Sequence, residues 1–340
     1  MTDTAESCSV VLYKSPPAWG LPSLSVACTQ VEAYLRLGGI RFAVQECITP
    51  SASPTGQVPA LDTSADLVGT DASAASAPPL AEFGAARTMV EYLKAKVVDL
   101  DRGLTVSQRA EAAAFAALVE AKLQPAIAFT TWCEAEAFAR HTRSAYSSGM
   151  PFPLSFFIPR SQRKAVLHHF AGTSSSEVYQ AAADALDALA VRLGSSAGPS
   201  SSATDFFFGS QPTSLDALLY SCLAYLHAAP VVHPQLQRKL MGHRVLSAYV
   251  DRLSLLAFAT SVPAAADAHL DWSAWGGTHA ADDKFSKART EKENELARKG
   301  RRWLVCAGAA IAAYIFLSGQ YIQLGLLSGY EYEEEEDNDE

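Results

Sequence analysis

With 340 residues, 49% of them hydrophobic and 19% charged, the chain can bury a sizeable core, which excludes a wholly disordered protein. Its formal charge of −9 reflects 27 Lys+Arg against 36 Asp+Glu, but eight acids (Glu331, Glu333, Glu334, Glu335, Glu336, Asp337, Asp339 and Glu340) crowd the last ten residues, so the rest stands at −1. A near-neutral body without an evident basic stripe argues against a nucleic-acid protein, and six cysteines (Cys8, Cys28, Cys47, Cys133, Cys222, Cys306) without a CxxC pair give neither a disulfide framework nor a zinc site.

Residues 1–9 read as a disordered N-terminus. They lack the positive and apolar regions of a secretory signal and are too acidic for a presequence. Val10 to Tyr13 is a short β-branched run. After the loop SPPAWGLP, the segment SLSVACTQVEAYLRLGG places Leu24, Ala27, Val31, Tyr34 and Leu35 at helical spacing and stops at Gly38-Gly39. IRFAVQECI is a second strand, so the unit is βαβ with a short crossover and parallel pairing. A strand follows Pro59, residues 65–69 are its hairpin partner, and residues 79–96 form a helix. This order resembles the thioredoxin-like half of the glutathione transferase fold, a resemblance that implies a cis Val58-Pro59 bond.

Downstream the pattern is nearly all helical: 107–139 with a break or kink at Pro125, then 177–193, 214–228 and one long helix over 234–259. Residues 71–79 and 194–205 are Ser-, Ala-, Gly- and Pro-rich inserts. Thr213-Ser-Leu-Asp216 sets a hydroxyl three residues before an acid, just ahead of Leu215, Leu218 and Leu219, which predicts a capping box. In the glutathione transferase fold such a box opens the central buried helix of the C-terminal half.

GLPS (20–23) with Cys28, SPTGQVP (53–59), KAK (94–96), TWCE (131–134), PFPLSFFIPRSQRK (151–164) and FFFGSQPTSLDALLY (206–220) together resemble the metaxin family, the outer-membrane component of the mitochondrial sorting and assembly machinery. The resemblance implies an α+β fold: a thioredoxin-like domain over 10–100 and an all-α glutathione-transferase-like domain over 101–262. It also implies, as partners, the barrel-forming subunit of that machinery, a second metaxin, the outer-membrane translocase and β-barrel precursors.

Trp303 to Leu327 is a run of 25 uncharged residues, about 37 Å as a helix and long enough to cross a bilayer as a single C-terminal transmembrane helix. Residues 263–302 form a linker and basic juxtamembrane segment with eight Lys or Arg between Lys284 and Arg302, and 328–340 form the acidic tail. That asymmetry keeps the bulk of the chain in the cytosol and sends the tail across, into the intermembrane space if the membrane is the mitochondrial outer one. On the span, Gly308, Ala312, Gly319 and Gln323 share one face, a candidate contact surface for a partner.

A glutathione enzyme needs a thiolate-stabilising hydroxyl or thiol at the end of the first strand and an acid-Ser pair at the start of the third helix of the transferase fold. Here Tyr13 and Ser15 are the only hydroxyls near the first position, and Glu82-Phe83 stands at the second. His168-His169, His227, His233 and His243 lack acids at metal-ligand spacing. The reading is therefore a non-enzyme without cofactor or metal. A membrane-anchored glutathione-dependent transferase and an outer-membrane dynamics regulator are the alternatives.

Overall fold

The computed structural model describes residues 10–63, 66–69, 79–196 and 206–258. The transmembrane helix expected over 303–327, its candidate face and the acidic tail lie outside the described residues. The N-terminal half runs β1 (Val10–Lys14), α1 (Val26–Leu37), β2 (Phe42–Glu46), β3 (Ala60–Asp62), β4 (Leu67–Val68) and α2 (Ala81–Lys96). The sheet order is β2-β1-β3-β4. β1 pairs parallel with β2 (Leu12 opposite Val44) and antiparallel with β3 (Leu12 opposite Leu61). Alternation along β1 sends Val10 and Leu12 into the main core, where they are 1% and 0% exposed, and puts Tyr13 on the other face with Cys47, Val58 and Ala60.

Every residue of α1 from Val26 to Leu35 is buried, Glu32 included. The ion pairs explain how an acid survives there. Lys14 Nζ lies 2.6 Å from one Glu32 oxygen and Arg36 lies 2.7 Å from the other. Lys14→Met leaves a buried carboxylate with one partner. The expected loss is about 2–4 kcal/mol, read as a lower denaturation midpoint in urea.

The helical half holds α3 (Val106–Trp132), α4 (residues 135–147), α5 (Leu154–His169), α6 (Ser175–Ser196), α7 (Ser214–Ala228), α8 (Pro234–Gly242) and α9 (Arg244–Phe258). Three features differ from the sequence expectation. α3 runs through Pro125 and stops at Trp132. The proline is accommodated by a π-turn at Val119–Leu123, after which the Gln124 amide bonds the Val119 carbonyl, so no helix break is needed. The expected single helix over 234–259 is two, divided at His243 (φ −94°, ψ 87°), next to the weak helix former Gly242 and with its Nε2 2.7 Å from Asp187 on α6. α5 was not anticipated, because Pro159 inside it masks the helical pattern. α3 is long and apolar enough by composition to cross a membrane, but Val119, Leu123, Ala126, Ile127 and Trp132 sit in the protein core.

α7 is the axis of this half, buried continuously from Leu215 to Leu226, and it packs against α1. Sheet half and helical half thus share one hydrophobic core. The connection between them is pinned. Asp101 accepts from the Ser214 amide (2.8 Å) and hydroxyl (2.6 Å) and pairs with Lys94 at 3.0 Å, while the Tyr34 hydroxyl donates to the Val98 carbonyl.

Candidate functional site

The place where this fold could do chemistry is the groove between the end of β1, the N-terminus of α1, the start of α2 and the helices α3, α4 and α7. Tyr13, at the end of β1, is 6% exposed and packed in an apolar cluster. Burial, with Asp62 and Cys47 adding to it, pushes its phenol up to about 12. Ser15 presents its carbonyl to the Ser23 hydroxyl at 2.9 Å. The Val58-Pro59 bond is cis, and Phe152-Pro153 is cis as well.

The loop after β1 folds back over the groove. Leu24 donates its amide to the Pro16 carbonyl at 2.9 Å and Leu21 to Ala18 at 2.8 Å. The loop tip carries Trp19 at φ 55°, its ring edge-on to Tyr225 of α7 with centroids 6.0 Å apart.

Glu82, in the first turn of α2, turns inward. Its Oε2 accepts the hydroxyl of Ser25, the N-cap of α1, at 2.6 Å. Burial drives the Glu82 carboxyl up to about 7 and the Ser25 hydrogen bond opposes that rise. Cys28, one turn into α1, is fully buried and pushed up to about 12 by burial and by the nearby Glu82 charge, so it is no activated thiol. Around Glu82 stand Tyr146, its ring tilted 57° to that of Trp132 with centroids 4.6 Å apart, and Tyr225, whose hydroxyl meets that of Thr131 at 2.8 Å. Burial raises both phenols. The cavity left among Ser25, Glu82, Thr131, Trp132, Tyr146 and Tyr225 is about 30 Å³. That holds a water and not a tripeptide.

Thr213 and Asp216 form a capping box at the start of α7. The carboxylate, 0% exposed, accepts from the Thr213 amide (2.8 Å) and hydroxyl (2.6 Å), the Phe207 amide (2.8 Å) and the Tyr249 hydroxyl (2.5 Å). Burial pushes the Asp216 carboxyl up and these donors pull it down. The role is structural, a junction of α7, α9 and the segment before α7.

Sequence reasoning located Tyr13, Pro59, Glu82, Thr213 and Asp216 but missed Ser25, Trp19, Tyr146 and Tyr225, which fill the groove. Ser25 was open to detection as a hydroxyl directly preceding the first helix. The others are brought in by tertiary packing that leaves no local pattern. Among the described residues no group of three or more His, Cys, Asp or Glu is placed to hold a metal.

A glutathione-transferase-like fold whose groove is filled by its own side chains is the class of protein this structure defines. Residues 182–253 match the model for the glutathione S-transferase C-terminal domain, and residues 28–163 match the model described as Outer mitochondrial membrane transport complex protein. Metaxin-1 of Bos taurus is 33% identical over 88% of this chain and 87% of its own length, and Metaxin-3 of Xenopus laevis is 28% identical over 83% of each. Among solved structures, glutathione transferase GSTFuA3 of Phanerochaete chrysosporium superposes with a TM-score of 0.48 at 16% identity, over 74% of this chain and 98% of that one. The chain belongs to the metaxin family, and that membership supports a role in import at the mitochondrial outer membrane.

Proposed function

We propose that this chain is a non-enzymatic subunit of the mitochondrial outer-membrane sorting and assembly machinery that assists insertion and assembly of β-barrel proteins. The observation that carries the non-enzymatic part is the filled groove: Glu82 is committed to Ser25, Trp19 rests on Tyr225, and Tyr13 is packed in an apolar cluster. Family membership supports the membrane and the transport role. In this reading 10–100 and 101–262 act as one cytosolic body. Residues 303–327 cross the membrane with the acidic tail in the intermembrane space, and Gly308, Ala312, Gly319 and Gln323 face the barrel-forming subunit. A second metaxin and the outer-membrane translocase are the further partners.

The test is purification of the full chain from mitochondria in mild detergent. The barrel-forming subunit is expected to come with it and to be weakened by replacing Gly308 and Ala312 with Leu. A preparation free of that subunit would refute the assignment. Glutathione conjugation by the purified chain that disappears in Tyr13→Phe would overturn the non-enzymatic reading.

A further inference from the structure

The motif PFPLSFFIPRSQRK carries a surface that the groove and the capping box leave unexplained. It forms the approach to α5 and most of that helix. Pro159 and Val166 bury one side of it. On a helix turning 100° per residue, Phe156, Phe157, Arg160, Lys164, Leu167 and His168 fall within an arc of about 120° on the opposite side. Phe156, Phe157 and Leu167 are 47%, 56% and 43% exposed, and Phe152, just before the helix, is 72% exposed. Large apolar side chains grouped on a surface mark a contact site.

The charge on that face is cationic. From Ala137 to Ser176 the sequence holds Arg140, Arg143, Arg160, Arg163 and Lys164 with three histidines and no Asp or Glu; Arg140 pairs with Glu136 at 2.8 Å and Arg163 turns inward to the Trp132 carbonyl, so Arg160 and Lys164 are the cations of the outward face. The near-neutral body expected from composition is therefore locally cationic here. Arg160 lies 3.6 Å over the Phe156 ring and bonds the Phe156 carbonyl, and Lys164 is exposed. A helix face with phenylalanines and leucine interleaved with Arg and Lys has the composition of an interfacial helix, apolar side down and cations at headgroup level.

From these residues we infer that the outward face of α5 docks on an anionic phospholipid bilayer. The occupant follows from charge complementarity and from the chain beyond Phe258. Residues 259–302, with their eight Lys or Arg, lead to the uncharged run 303–327, so the surface to which the body is tethered is a bilayer. This rests on the membrane attachment proposed above and adds a second, peripheral contact that sets the body against the membrane.

The full chain is to be purified in mild detergent with Phe157 replaced by the photoreactive p-benzoylphenylalanine, and reconstituted into vesicles of phosphatidylcholine alone or of an equimolar phosphatidylcholine–phosphatidylglycerol mixture. Flotation after a carbonate wash reports the span, and mass spectrometry after irradiation reports the docking. Phospholipid adducts at position 157 are expected in the mixed vesicles, with a fall of roughly fivefold for each cation removed by Arg160→Gln or Lys164→Gln. The same photoreactive residue at Val191, 73% exposed on α6, is expected to give none. Floated protein without lipid adducts at 157, or with adducts to a second copy or to the acidic tail instead, overturns the docking while sparing the span. Protein that does not float overturns both.

Discussion

Replacing Asp216 by Ala is expected to cost about 3–5 kcal/mol, because four donors lose one acceptor in a site closed to water. Thr213 contributes its amide and hydroxyl, Phe207 an amide and Tyr249 a hydroxyl, all at 2.5–2.8 Å. A capping box on an exposed helix costs about 1 kcal/mol to remove. The larger figure applies here because the same carboxylate also joins α9 and the segment before α7, and none of these groups can turn to solvent. Tyr249→Phe removes one donor and leaves the acceptor satisfied by three, so its expected cost is about 1 kcal/mol. The check is thermal unfolding of the two variants in the same detergent, where each kcal/mol moves Tm by roughly 2–4 °C for a domain of this size. A shift of only about 1 kcal/mol for Asp216→Ala with none for Tyr249→Phe would show that Asp216 serves the helix start alone.

What was legible in the sequence is what obeys a local period. β1 is a short apolar, β-branched run, α1 carries helical spacing and ends at two glycines, and α7 announces itself through a hydroxyl, an acid three residues on, and leucines. The order of these elements is enough to reach a glutathione-transferase-like fold. Interactions across long separations left no such trace. Ser25 and Glu82 are 57 residues apart, Asp187 and His243 are 56, and Thr130 meets the Val231 carbonyl over 101. The role given to Glu82 shows the limit most clearly. Its position at the start of the helix after the sheet is the one where a transferase would hold its substrate, yet the side chain is spent on the cap of α1. Only the packing of two helices against a third reveals that. α5 failed for a different reason, since a proline inside it and aromatic residues on its outer face hide the helical period of its buried side.

The groove also makes a pH prediction that depends on Glu82 alone. Its carboxyl titrates near 7 in the folded protein, against 4.5 for the free group, because burial outweighs the Ser25 hydrogen bond. The start of a helix ordinarily favours an ionised acid, so the upward direction testifies to how dry this corner is. As pH rises from 4.5, the unfolded chain ionises Glu82 while the folded chain holds the proton. The unfolded state gains free energy, and stability falls until the folded carboxyl ionises at about 7. Summed over that window, this group's contribution is on the order of 3 kcal/mol, full below pH 4.5 and lost above 7. Glu82→Gln keeps the shape and an acceptor for Ser25 but cannot ionise. The variant is therefore expected to match the wild type near pH 4.5 and to exceed its stability at pH 8 by most of that amount. The measurement is urea unfolding of both proteins at the two pH values. The difference between them isolates Glu82 from Asp62 and Asp216, which shift upward, and from Asp101, which Ser214 and Lys94 hold low. Parallel pH profiles would mean that Glu82 is ionised in the fold and open to water. The groove would then have to be accessible to a ligand after all, and the case against glutathione chemistry would lose its main support.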